Sequence, residues 1–450
     1  MDYFLIGLRA GLFCVACMCG CSATPNDSFS NAVVPLQGLK SFEPAPAHDA
    51  QPKVSASTIG LSAPDYSRIT RAALRVSDGI SAAKGAVSER RQFREILKWE
   101  ARPALIPAAS INTNTSRNEL GERDSSIFRL SLQQQLLDFG RFASRAEQAT
   151  TDISLAMVDH WEERNQAVSD ALVLYTDLIH FRDLTDISSK YIDIHKDLKR
   201  KIQARLDGGV AEHSELSLIT IRLQELLLQE ATDLRAMEAT RAELEQLTQL
   251  SNIELPVDFV EIPEGFSQDN LDILDSPTVV RARKNLQLAK VRKKEARSNS
   301  LPSLQVEVYI QDDLDDTEHG VELSLEASSF AGFSYGANLR GADVAINTAR
   351  TALEKATMDV DRELSRLERE NENLRFRKES LQQQYDQTQK AVVLYLDQFQ
   401  SGVKSMTDAI GIYESTLDVE RQLAIVEADL RQNGIATANI YGAIAEYPES

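Results

Sequence analysis

The chain has 450 residues and a net charge of -19, from 49 Lys and Arg against 68 Asp and Glu. That balance argues against a nucleic-acid partner, because phosphate binding needs clustered Lys and Arg. Charged residues make up 26% and aromatics only 6%, a mixture suited to long solvated helices with a narrow apolar seam rather than to an ordinary enzyme.

All four cysteines, Cys14, Cys17, Cys19 and Cys21, stand in the first twenty-one residues, so no disulfide or zinc framework is available to the body of the chain. Arg9 precedes the short apolar stretch AGLFCVACM and then GCSA. This is too short to span a bilayer and has the shape of a secretory signal. Met18-Cys19-Gly20-Cys21 resembles a bacterial lipobox, with Gly20 before the cysteine, Cys21, that would be lipidated. Ser22 after it resembles the sorting of lipoproteins to an outer membrane; an ordinary cleaved signal is the plainer alternative. Residues 1–21 are read as a signal peptide and residues 22–64, rich in Pro, Ala, Ser and Asn, as a flexible tether.

From there the chain repeats itself. KWEARPALIP (Lys98 to Pro107) returns as KKEARSNSLP (Lys293 to Pro302), and RLSLQQQ (Arg129 to Gln135) as ELSLEAS (Glu322 to Ser328). GVAEHSEL from Gly209 returns as GVKSMTDA from Gly402. The spacing predicts a first repeat over 65–255, a linker over 256–275, a second repeat over 276–435 and a C-terminal tail over 436–450. Each repeat opens with a helix, Asp65 to Arg102 or Ser276 to Ser298, broken by Pro107 or Pro302. Two short alternating runs follow. Leu304, Val306, Val308 and Ile310 alternate with polar residues, as do Val321, Leu323 and Leu325, and Phe128, Leu130 and Leu132. Period two with one apolar face means strands. ASINTNTS, from Ala109, is a weaker, mostly polar strand. The acidic run Asp312, Asp313, Asp315, Asp316 and Glu318 reads as a solvated loop between two strands.

The chain then returns to helix, with Asp138 a candidate N-cap in the first repeat and Ser328 or Ser329 in the second. The segment after Gly140 contains no Pro or Gly until Gly208 and Gly209. It predicts a helix of about 65 residues, on the order of 100 Å long. The glycine pair marks a turn into a return helix with the apolar seam Leu216, Ile219, Leu223, Leu226, Met237, Leu244 and Leu247, interrupted by Glu230, Asp233 and Thr240. Four alternating strands cannot close a barrel alone, and open edges are not tolerated in lipid.

The duplicated helix–LP–strand–strand–helix plan, D-F-G-R at Asp138 to Arg141, F-x-G at Phe330 to Gly332 and the two G-V turns resemble the TolC family of outer-membrane channels, over roughly residues 65 to 440. The resemblance implies a mainly α protein with a small membrane β part, a homotrimer whose 12-stranded β-barrel continues as a long α-helical barrel. It implies an outer-membrane exit duct reaching into the periplasm, without enzymatic activity or cofactor. Such a duct takes substrate from an inner-membrane pump, proton-driven or ABC type, through a periplasmic adaptor, for small-molecule efflux or type I protein secretion. Arg205, Leu206, Gly209, Val210 and Ser214 would form one adaptor-docking tip, and Phe399, Gly402, Val403 and Ser405 the other. Glu215 and Lys404 match a polar tie of the family's periplasmic gate, and Asp408 one acidic ring. Phe399 stands where a tyrosine would add a hydrogen bond, and Gly411 where a second ring acid would sit. The plainer reading of Glu215, Lys404 and Asp408 is solvated helix charge near a turn.

The six histidines are scattered, without metal spacing, and no phosphate loop or nucleophile motif occurs. The competing class is a periplasmic coiled-coil scaffold whose alternating runs form a small soluble sheet.

Overall fold

The computed structural model describes residues 64–112, 125–209, 212–251, 253, 272–313, 316–326, 334–400 and 405–445, all within the unit of residues 51–450. The expected signal, Cys21 and the tether up to residue 63 lie outside the described residues. So do Val210, Gly402, Val403, Lys404, the F-x-G motif, Ser328 and Ser329.

Helices α1 (Pro64–Val76) and α2 (Asp78–Glu100) lead into strands β1 (Ala104–Asn112) and β2 (Ser125–Leu137). Helices α3 (Arg141–Asp207) and α4 (His213–Thr248) complete the first repeat. A 3-10 turn, Ile273–Asp275, precedes α5 (Pro277–Ser298), β3 (Ser303–Asp313), β4 (Asp316–Glu326), α6 (Ser334–Gln400) and α7 (Met406–Ile440). The duplication is visible in the lengths: α3 and α6 each hold 67 residues, about 100 Å at 1.5 Å per residue. Their return helices hold 36 and 35.

The structure shifts several sequence expectations. Pro107 does not break a helix; it lies inside β1 opposite Leu130. Pro103 stands just before β1 as Pro302 stands just before β3, so these two are the equivalent prolines. Within the chain β1 is an edge strand, where a residue lacking N–H is tolerated. The expected helix from Asp65 to Arg102 is two helices, because Ser77 adopts extended backbone and its hydroxyl accepts from Ile80 N, capping α2 anew. The acidic run is mostly strand. Asp312 and Asp313 end β3, Asp316 and Glu318 begin β4, and Asp313 pairs with Asp316. Pairing continues past the apolar alternation there, which is why the alternation placed the start of β4 at Val321.

Helix α3 is the centre of the packing. Val168, Ala171, Leu172, Tyr175 and Leu178 are fully buried against Tyr66 and Ile69 of α1, Leu244 of α4 and Ile435 of α7. The Tyr66 and Tyr175 rings meet edge to face at 5.3 Å. Helix α6 buries a single seam instead: Val360, Leu367, Leu381, Val392 and Phe399, with Leu374 half-covered in the gap. The steps are multiples of seven apart from one of eleven, the spacing of a coiled-coil seam. Val344, Met358, Phe376, Val393 and Leu394 of α6 stay exposed.

The described part of the segment expected as a tail, up to Ala445, is part of the core. Helix α7 runs to Ile440, and Gly442, at φ 66, turns the chain back over Trp161. No side chain fits at Gly442, since a Cβ would collide with the indole and with Pro277. Trp161 Nε1 donates to the carbonyls of Gly442 (3.1 Å) and Ala445 (3.0 Å). Asn165 Oδ1 accepts from Ile444 N (3.1 Å) and Ala445 N (3.0 Å). Trp161→Ala removes a buried ring and leaves two carbonyls unsatisfied, so it is expected to cost about 3–5 kcal/mol and lower the thermal midpoint read by circular dichroism. Deleting the chain from Ala443 onward is expected to lower it as well; two unchanged midpoints would show this segment to be loosely held.

Candidate functional site: a two-faced sheet and the helical tips

The four strands form one antiparallel sheet in the order β1-β2-β3-β4. One row crosses all of it: Leu105, Leu132, Val308 and Val321 stand opposite one another in turn, and all four are exposed. The next row on that face is Pro107, Leu130, Ile310 and His319. The other face carries Ala104, Gln133, Glu307 and Glu322 in one row and Ala108, Arg129, Gln311 and Glu318 in another. Arg129 Nη2 donates to Glu307 Oε1 at 2.8 Å while its guanidinium lies over the Tyr309 ring at 4.1 Å. Gln133 Nε2 donates to Glu307 Oε2 at 2.9 Å. Tyr309 lies flat because Gly320 stands opposite; a Cβ there would come within 2.8 Å of the phenol. The sheet therefore exposes a mainly apolar surface on one side, crossed by the unbroken row Leu105–Leu132–Val308–Val321, and a laced polar one on the other.

Sheet and helices meet at D-F-G-R. Phe139 and Gly140 both have positive φ, 51 and 86, so the chain turns sharply from β2 into α3. Asp138 stands two residues ahead of the N-cap position, which Gly140 occupies. Its carboxylate still does the capping, accepting from Gly140 N at 3.0 Å and Phe142 N at 2.7 Å. Arg141 reaches across to the other repeat. Its Nε donates to Ser298 O at 3.1 Å, and its Nη2 to Asn299 O and Leu301 O, carbonyls at and just beyond the end of α5.

At the far end α3 closes with Gly208 N donating to Ala204 O at 3.1 Å, and Gly209, at φ 73, donating to Leu206 O at 2.9 Å. Leu198, Ile202, Ile219, Phe399, Met406, Ala409 and Ile410 form the apolar core just behind this turn. Phe399 belongs to that core, 8% exposed, with the Arg205 guanidinium 4.6 Å above its ring. Asp408 is the N3 residue of a capping box: Asp408 N donates to Ser405 Oγ at 3.2 Å, and Ser405 N to Asp408 Oδ2 at 3.2 Å. Its first task is to start α7. Ser214 Oγ donates to Glu212 Oε2 at 2.9 Å, and Glu215 is half-buried in the first turn of α4.

Sequence reasoning missed the ties that join the two hairpins. Glu420 of α7 accepts from Lys190 Nζ at 2.8 Å and from Tyr191 Oη at 2.9 Å. Burial works against the Lys190 charge, but Glu420 outweighs it and holds the ammonium above its usual range. The next residue, Arg421, donates to Asp233 Oδ2 and to Ser188 Oγ, each at 2.9 Å. Asp233 is 4% exposed. It was visible in the sequence as an interruption of the α4 seam, which was the available signal that a cation is needed opposite it.

No family model and no curated protein matches the sequence. Solved structures do match, over most of the chain. The outer membrane protein VceC of Vibrio cholerae superposes with a TM-score of 0.74 at 14% identity, covering 84% of this chain and 96% of its own. The chain has the TolC-like fold. This TolC-like plan is also that of the Campylobacter jejuni CmeC outer membrane channel, with TM-score 0.74, 14% identity and 96% coverage of both chains. The open-state MtrE outer membrane channel of Neisseria gonorrhoeae superposes with TM-score 0.73 at 16% identity, over 88% of this chain and 94% of its own.

Breaking the Asp233–Arg421 pair from one side leaves a buried charge. Arg421→Ala is expected to cost about 3–5 kcal/mol. The double variant Asp233→Leu with Arg421→Met is expected to recover most of it. A thermal double-mutant cycle checks both; additive losses would show the pair to be incidental.

Proposed function

We propose that the chain is an outer-membrane exit duct that works as a homotrimer, moving substrate delivered by an inner-membrane pump and a periplasmic adaptor to the outside. The observation that carries the reading is the apolar row Leu105–Leu132–Val308–Val321, which runs to both open edges of the sheet. In lipid a sheet is tolerated only when its edges are paired. Joining β4 of one copy to β1 of the next, three times, closes a barrel with that row outside and Arg129, Glu307 and Glu322 lining the lumen. The likeness to channels such as CmeC and MtrE supports the same reading. Among the described residues no helix is long and apolar enough to cross a membrane.

The ~100 Å helices then form a tunnel across the periplasm, ending at the hairpin tips. Arg205, Leu206, Gly209 and Ser214 on one tip, and Ser405 on the other, are the described residues assigned to adaptor docking. Val210, Gly402 and Val403, outside the described residues, belong to the same assignment. Glu215, with Lys404 as its partner, and Asp408 are assigned to the periplasmic gate. The pump supplies the energy. Small-molecule efflux and type I protein secretion are both compatible with a shared tunnel wall.

Two variants on adjacent residues test the orientation of the sheet. Val321→Arg puts a charge on the lipid face and is expected to weaken insertion by about 2–4 kcal/mol; Glu322→Arg, on the lumen face, is expected to insert normally. Stepwise conductance of the parent in a planar bilayer is expected alongside. Equal insertion of both variants, with no conductance from folded protein, would favour the periplasmic scaffold.

A further inference from the structure

Helix α3 carries a histidine that neither the packing nor the duct requires. His195 stands twelve residues before Asp207, the end of α3, and is completely buried. It falls between two apolar clusters. Towards the tip lies the core of Leu198, Ile219 and Ile410; on the other side lie Tyr191, Ile192, Leu226 and Leu417. Both clusters join α3 to α4 and α7, so the imidazole occupies the joint between the two hairpins.

Its ring is half satisfied. Nδ1 lies 2.8 Å from Tyr191 O, one turn back on the same helix. A carbonyl only accepts, so Nδ1 carries the hydrogen and Nε2 presents a lone pair. Nε2 is buried without a hydrogen-bond partner. Adding a proton there would create a second buried donor with nothing to accept from it, on a ring that has also become charged. The surroundings do not welcome that charge. From α4, Arg222 acts on the ring with the same sign. The carboxylates nearby belong to Arg222 already: Glu414 of α7 at 2.7 Å and Glu225 of α4 at 2.7 Å, with Asp418 of α7 also acting on it. Tyr191 of α3 and Tyr413 of α7 also stand at this joint and are neutral over the range concerned, and Glu420 of α7 is taken by Lys190 and by the Tyr191 hydroxyl.

Burial holds the imidazole below its ordinary range; the Tyr191 carbonyl opposes this and Arg222 reinforces it. A histidine kept neutral in the native state contributes stability that is whole above its unfolded pKa and is lost as pH falls through the folded one.

We propose that His195 makes the joint between the two helical hairpins acid-labile, so that their tips separate locally and reversibly when the surroundings acidify. As regulation of the mouth of the duct, this rests on the functional reading above; as a local opening of the helices it does not.

Peptide-resolved hydrogen exchange on the full chain tests it, from about pH 8 to about pH 5, the range in which imidazoles change charge. Rates are corrected for the intrinsic pH dependence of exchange. In the parent, segments 191–206 and 213–226 are expected to exchange several-fold faster at the acid end, while the Val168–Leu178 segment changes little. His195→Leu is expected to abolish the acceleration, and His213→Gln, on the exposed start of α4, to leave it intact. Acceleration that survives His195→Leu, or that is uniform along α3, would overturn the proposal. If the Leu variant does not reproduce the parent's exchange at neutral pH, a histidine NMR titration of the unaltered protein decides. A His195 midpoint coinciding with the onset of tip opening supports the joint, and separate midpoints overturn it. Neither readout involves conductance, so failure here leaves the exit duct untouched.

Discussion

A strand and a helix cannot be joined end to end without stranding backbone groups, because the first N–H groups and last C=O groups of a helix have no partners of their own. Here both problems are solved at one corner. Asp138 occupies the open N–H groups at the start of α3, and three residues later Arg141 donates to the carbonyls at the end of α5, beside the bond that Ser298 O accepts from Leu301 N. The first bond lets α3 begin at full strength directly under the sheet. The second fixes where α5 stops and β3 begins, and so ties the two repeats together at the level where helices give way to strands. The pairing of β2 with β3, which fuses two hairpins distant in sequence into one sheet, has its register set beside this corner.

Further along, stability comes from different sources on the two long helices. Helix α3 is surrounded by α1, α2, α4, α5 and α7 and draws on a broad apolar core. Helix α6 packs against α5 and, through its seam, against α7, and leaves much of its remaining surface uncovered. The first hairpin is thus a framework, and the second leans on it through α7 and α5. Apolar packing alone is tolerant of sliding, whereas the charges at Glu420 and Arg421 are not. Glu420 reaches α3 and Arg421 reaches both α3 and α4, so together they fix how far α7 sits along the two helices.

Much of this was legible in the residues. A 67-residue helix is announced by the absence of Pro and Gly between Arg141 and Asp207, and the strands by apolar alternation at Leu304 to Ile310. What escaped notice was of two kinds. Where both faces of a strand are polar, as at Asp312 to Glu318, period two leaves no trace, and pairing is decided by the partner strand. Where a residue acts through a distant one, its type is visible but its purpose is not. Asp408 carries the same charge whether it caps a helix or lines a mouth, and Trp161 reads as one more seam residue until Gly442 and Ala445 arrive beneath it. Pro107 misled for a related reason: the motif that repeats is not the motif that is structurally equivalent, and only the strand boundaries single out Pro103.

The equal length of α3 and α6 has a bearing on how such a chain can change. Two arms that start from one sheet and turn at the same depth must grow or shrink together, since a heptad inserted into one alone would lift its turn about 10 Å out of line with the other. Each return helix would need the same insertion to keep its seam in phase. Any lengthening or shortening therefore arrives as four coordinated events, spread over distant parts of the gene. A single indel in any arm is self-penalising, and the depth of the molecule is held nearly constant while surface residues remain free to drift.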